Sequence, residues 1–144
     1  MDEPHSESGA IRRALADPSK INERMPNGST PLNQAALWGQ LGLVRELLEN
    51  GADVKGTNSD GNTALHVAAF MCHKEVAELL IEHGAELDCK NHRGETPLDV
   101  VDDTWSEDLA SFYRQLGVSL GLPVDTRYLE QARPQIATML DRKR

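Results

Sequence analysis

Cys72-His73 and Cys89-x-x-His92 put two thiols and two imidazoles close together in the chain, the donor types of a tetrahedral zinc site. His66 could serve as a general base if a nucleophile stood beside it. Asp99, Asp102, Asp103, Glu107 and Asp108 form an acidic run that could hold a divalent cation or pair as acid and base. Each has a plainer reading. The acidic run lacks the glycine and ligand spacing of a calcium loop. It also falls on helix starts, where carboxylates favour the positive end of the helix dipole. His66 follows Thr63-Ala64-Leu65 at a helix opening, where an imidazole bonds turn backbone or the threonine hydroxyl. No Gly-x-Ser-x-Gly turn, phosphate-binding loop or dinucleotide fingerprint occurs in the chain. The expectation is therefore no catalytic residue, no cofactor and no metal.

The cysteine–histidine pairs depend on what positions them, and that is a repeat. Gly28, Gly61 and Gly94 stand 33 residues apart, and Gly51, Gly84 and Gly117 keep the same step. Two glycine sets sharing one period mark an array of similar units. In that frame Cys72-His73 ends a helix and Cys89-x-x-His92 lies on a hairpin, so the four donors do not converge.

Residues 1–9 are polar and aperiodic and are expected to be a disordered lead. Residues 10–26 hold Ile11, Ala14 and Leu15 on one helical face, the second helix of a half-unit capping the stack. The first full unit is 27–59. Asn27-Gly28 makes a tight turn, Thr30-Pro31 caps and opens a helix, Gly39 ends it, and Leu43, Val44, Leu47 and Leu48 face a second helix. Residues 60–92 repeat this with Thr63, Leu65, Ala68 and Ala69, then Val76, Leu79 and Leu80, then Gly84-Ala85. Residues 93–121 start with Arg93-Gly94-Glu95-Thr96-Pro97-Leu98. Val100-Val101-Asp102-Asp103 then replaces the small apolar pair, so this unit reads as a degenerate cap closed by Gly117. In 122–144, Leu129, Ala132, Ile136 and Leu140 recur at helical spacing around Pro134, which predicts two short helices or one kinked helix.

The stretches NGSTPLNQAALWGQLGLVRELLENGADV and DGNTALHVAAFMCHKEVAELLIEHGAELD resemble ankyrin repeats over roughly 10–121. That family's pattern runs Asn/Asp-Gly-x-Thr-Pro-Leu-His-x-Ala-Ala, a Val-x-x-Leu-Leu helix, then Gly-Ala-Asp. His66 matches the family histidine, while Asn33 and Asp99 stand in its place. His73 falls on a structural Gly-His pair, with Cys72 in the glycine's position. The resemblance implies an all-α solenoid of stacked helix-turn-helix units with hairpin loops and a C-terminal helical extension.

It also implies recognition of another protein on the concave face, through positions that packing does not dictate. Those are Leu37-Trp38 and Phe70-Met71, in register with Asp103-Thr104, and they predict one exposed apolar patch. Its rim is drawn from hairpin residues Thr57, Ser59, Asn62, Lys90, His92, Arg93 and Glu95. The implied role is an adaptor, inhibitor or regulatory subunit whose partner is apolar with basic character. The alternative is a structural element that self-associates through its C-terminal tail.

Composition agrees with this frame. At 144 residues and 4% aromatics the chain suits thin, Ala- and Leu-rich helical layers. A net charge of −8 opposes a nucleic-acid binder, because phosphates would be repelled. There is no run of 18 apolar residues to span a membrane, and the acidic N-terminus lacks signal-peptide character. Two cysteines do not make a disulfide framework. Cytoplasmic location is the expectation.

Overall fold

Thr30 and Thr63 each set a helix by the same local chemistry. In the computed structural model, which describes residues 6–102 and 104–143, both side chains accept from the backbone N–H three residues on, capping an otherwise unbonded amide. Pro31 occupies the first helical position of α2 (Pro31–Trp38), where its missing N–H is no loss. Gly39 ends α2 in the left-handed region at φ 67°. Gln40 N–H then reaches the Ala35 carbonyl and Gly39 N–H the Ala36 carbonyl, closing the last turn. The chain reverses into α3 (Leu41–Glu49), which buries Val44, Leu47 and Leu48. One period later α4 (Ala64–Phe70) and α5 (Lys74–Glu82) repeat the arrangement. Cys72, at φ 61°, takes the place of Gly39. A left-handed non-glycine residue costs roughly 1–2 kcal/mol, and the fully buried thiol offsets this by packing.

α2 packs on α3 and α4, α4 packs on α5, and α3 packs on α5, so the helices form an inner layer (α2, α4) and an outer layer (α3, α5). Ala35, Ala36, Ala64, Ala68 and Ala69 are all fully buried between them. Small residues there let the layers approach closely. A part-buried hydrogen bond ties each of two hairpins to the unit before it. Asn33 Nδ2 donates to the Asn62 carbonyl at 3.0 Å, and 33 residues later His66 Nε2 donates to the Glu95 carbonyl at 2.8 Å. Asn33 thus does the histidine's work with a side-chain amide. Asp99, next in the series, instead accepts from Thr96 N–H at 2.9 Å and caps its own turn.

Both ends depart from the expected boundaries. α1 (Ser6–Ala16) starts inside the stretch read as a disordered lead, so 6–9 are helical, and 1–5 lie outside the described residues. The burial of Ile11 and Ala14, with α1 packed on α2, holds this helix. The third unit forms only one turn over 97–101, with Val100 N–H on the Thr96 carbonyl and Val101 N–H on that of Leu98. β-Branched Val100-Val101 propagates a helix weakly. Its second helix, α6 (Glu107–Leu120), is capped by Ser106 and runs straight through Gly117 to end at Gly121, φ 68°. Gly117 therefore does not close it. A Cβ there would stand 2.5 Å from the Val124 side chain, so this glycine admits the returning chain.

The tail is one helix, α7 (Thr126–Lys143), with Pro134 inside it. Burial of Leu129, Ala132, Ile136, Met139 and Leu140 against α4 and α6 outweighs the lost proline hydrogen bond. Among the described residues there are seven α-helices, and the isolated Thr57–Thr63 bridge is the one β feature. No described helix is long and apolar enough to cross a membrane.

Candidate functional site

A groove of about 500 Å³ runs along the inner layer. Leu37 from α2, with Val67, Phe70 and Met71 from α4 and its end, supplies apolar lining. The hairpins bound one side through Asn58, Asp60, Asn62, Asn91, His92, Arg93 and Glu95, while Leu109, Phe112 and Leu116 of α6 line it as well.

The hairpins are stiffened by asparagines. Asn58 Oδ1 accepts from Asp60 N–H at 2.9 Å and Asn62 N–H at 3.0 Å, and Asn91 Oδ1 accepts from Arg93 N–H and Glu95 N–H at the same distances. Asn91 Nδ2 then donates to Asn62 Oδ1 at 2.8 Å, and His92 N–H to the Asp60 carbonyl at 3.0 Å. These two bonds fix the spacing of adjacent tips.

Phe70 is held from several sides. Its ring stacks on Tyr113 at 4.6 Å and meets Phe112 edge-on at 5.9 Å, and the Arg133 guanidinium lies 5.8 Å from its centroid. Tyr113 donates its hydroxyl to the Phe70 carbonyl at 2.6 Å. Arg133, only 2% exposed, donates to the Tyr113 hydroxyl and, at 3.2 Å, to the Val100 carbonyl. The aromatic and the cation that α6 and α7 bring therefore set the groove wall.

Of the expected patch, Leu37 and Phe70 line the groove and are half-buried. Met71 lines it too but is 8% exposed, a correction to the expected surface position: it sits at the C-terminal end of α4, turned into the core. Trp38 is half-buried, packs against the core and is not part of the lining. Asn62, His92, Arg93 and Glu95, drawn as rim residues from their hairpin positions, line the groove. Thr57 is set apart, accepting from Arg24 at 3.1 Å, and Ser59 lies against Gly28 of the preceding hairpin. Lys90 and Thr104 are exposed away from the lining, and Asp103 lies outside the described residues.

Sequence reasoning missed Leu109, Phe112 and Leu116. Their helical spacing was legible, but in a regular unit it denotes stacking against the neighbouring outer helix. Arg133 left no signal at all.

His66, His73 and Glu107 have structural partners, and Cys72 is buried. His66 Nδ1 receives the Thr63 backbone N–H at 3.1 Å, which can only donate, so the ring is neutral with its proton on Nε2 toward Glu95. Burial holds its pKa below 6.5, against the opposing pull of the Glu95 carbonyl. His73 bonds the Leu37 carbonyl at 3.1 Å, and burial lowers its pKa likewise. Burial pushes the Cys72 thiol up to about 11, far from thiolate character. Glu107 pairs with Arg114 at 2.7 Å. Among the described residues no three His, Cys, Asp or Glu side chains converge as a metal site would require.

A family model for ankyrin repeats, in three copies, matches residues 5–98 and so stops short of α6 and α7. No curated protein matches the chain.

Proposed function

The chain belongs to the ankyrin repeat family, whose members are generally protein-interaction modules, and on that premise we propose that it is a non-catalytic adaptor, inhibitor or regulatory subunit that grips a partner protein in the inner groove. One observation carries the reading: Phe112 is 53% exposed at the lip of an apolar groove whose hairpin wall is tied together by hydrogen bonds. A large aromatic held at the edge of such a depression is the usual energetic centre of an interface. Asp60 and Glu95 on the rim, on a chain of net charge −8, favour a partner with basic character. Two cysteines without a disulfide fit a reducing, cytoplasmic setting. Self-association through the tail is disfavoured, because the apolar stripe of α7 is buried within its own chain.

Quantitative affinity capture tests the proposal, with wild-type protein compared against Leu37→Lys in the groove and Arg45→Ala on exposed α3. The expected result is a saturable partner retained by Arg45→Ala and lost by Leu37→Lys at an unchanged melt. Partners held equally by all three proteins would refute the groove reading.

A further inference from the structure

We propose that the occupant of this groove is an amphipathic helix of the partner, laid along α6 with its basic edge toward Asp60. The inference rests on the binding reading above and adds the form of what binds.

Backbone valence argues for a helix. An extended peptide buried in a groove must hydrogen-bond its own amides and carbonyls to the walls. Here the amides of the hairpin residues that line the groove are already used. Asn58 N–H meets the Asn62 carbonyl, Gly61 N–H the Asn58 carbonyl, Asn91 N–H the Glu95 carbonyl and Gly94 N–H the Asn91 carbonyl. The amides of Asp60, Asn62, Arg93 and Glu95 are taken by asparagine side chains, and that of His92 by Asp60. The remaining walls are helices, whose backbones are bonded internally. The walls therefore offer no free amide to the carbonyls of an extended peptide, which suits a segment that satisfies its own backbone.

Length and shape agree. Leu109, Phe112 and Leu116 recur at i, i+3 and i+7 on α6 and all line the groove. Seven residues at the helical rise make an apolar ridge of about 10 Å, two turns long. A partner helix with apolar residues at the same spacing can interdigitate with it, while Leu37 and Phe70 receive the same stripe from below. α6, the second helix of the third unit, lies beyond the residues matched to the family.

Charge orients the helix. Asp60 is exposed on a hairpin tip, and Asp108 is exposed one turn before Phe112 on the same side of α6. Glu95 lines the groove between them in sequence, and Arg93 is a cation on the same rim. Lys or Arg flanking the apolar stripe would meet carboxylates along both edges.

The test uses the full chain against two displayed peptide libraries, one of helix-forming peptides with randomised faces and one of proline-punctuated peptides that cannot form helices. The expected outcome is enrichment from the helical library of apolar residues at i, i+3 or i+4, and i+7, flanked by Lys or Arg. Phe112→Ala should weaken those binders about tenfold or more. Asp60→Lys, on an exposed hairpin tip, should weaken them several-fold and flatten their salt dependence. Enrichment from the proline library alone, helical binders with acidic flanks, or binders indifferent to both substitutions would overturn the inference. So would the absence of any binder. If affinity capture still yields a groove-dependent partner in those cases, the binding proposal stands and only the helix falls; if capture also fails, both fall.

Discussion

His66 should make the stack acid-sensitive, and the structure fixes the sign. The ring is 1% exposed and neutral, receiving the Thr63 N–H on Nδ1 and donating from Nε2 to the Glu95 carbonyl of the next hairpin. A second proton would face a donor at Nδ1 and break the cap of α4. The folded pKa lies below the unfolded 6.5, so the unfolded chain binds the proton first as pH falls. Stability from this site is therefore complete above about pH 6.5 and is lost as pH drops through the lower folded value. His73, lowered by the same cause, adds in the same direction. Replacing the ring by Ala strands the Thr63 amide, at roughly 1–3 kcal/mol for a buried group left unbonded, and takes from the Glu95 carbonyl one of its two donors, the other being Asn91 N–H. His66→Ala should thus cost about 1–3 kcal/mol, a fall in Tm of roughly 3–10 °C for a chain of this size. His66→Asn copies the amide that Asn33 uses for the equivalent bond, so it should recover part of that loss and lack this site's titration. Thermal melts from pH 8 to pH 5 decide the matter. The acid slope should shrink in His66→Asn to the part His73 supplies. An unchanged slope, or a wild-type protein that gains stability toward pH 5, would refute the reasoning.

Two further predictions concern backbone and anchor. Gly39→Ala meets both a left-handed backbone and a Cβ contact of 2.6 Å with the His73 ring, whereas Gly51→Ala, at φ 94°, has nothing within 4 Å. Gly51→Ala should cost about 1–2 kcal/mol and Gly39→Ala clearly more in denaturant titrations; the reverse order would contradict the packing described. Arg133→Ala should destabilise by roughly 2–4 kcal/mol, since it leaves the Val100 carbonyl without its donor and opens a gap beside two rings. Arg133→Met, which fills the space, should lose less. If both variants melt as the wild type does, Arg133 is not what fastens α7 to the groove wall.

The sequence by itself determined the elements whose causes are local and repeated. Thr30 and Thr63 cap, Gly39 and its successor Cys72 turn the chain, and the Ala-Ala pairs pack because the residue types have few alternatives in a 33-residue frame. It also placed Leu37, Phe70 and the rim residues Asn62, His92, Arg93 and Glu95 on the groove, because an array carries each position into register with its neighbour. The end of the array was not legible in this way. A terminal unit has no following hairpin to bond and no following helix to stack on, so the periodic rule stops constraining it. Gly117 kept the period yet lies within a helix, because the contact that requires it comes from Val124 rather than from a turn. Met71 turned inward, and α6 lent Leu109, Phe112 and Leu116 to the groove, because α7 packs against both α4 and α6 and sets where α6 lies. Those placements depend on contacts across 20 to 56 residues, such as Arg133 to Tyr113 and Tyr128 to the Cys72 carbonyl, and no local pattern encodes them. Local chemistry wrote the repeats, and long-range packing of the C-terminal helices decided the shape of the surface beside them.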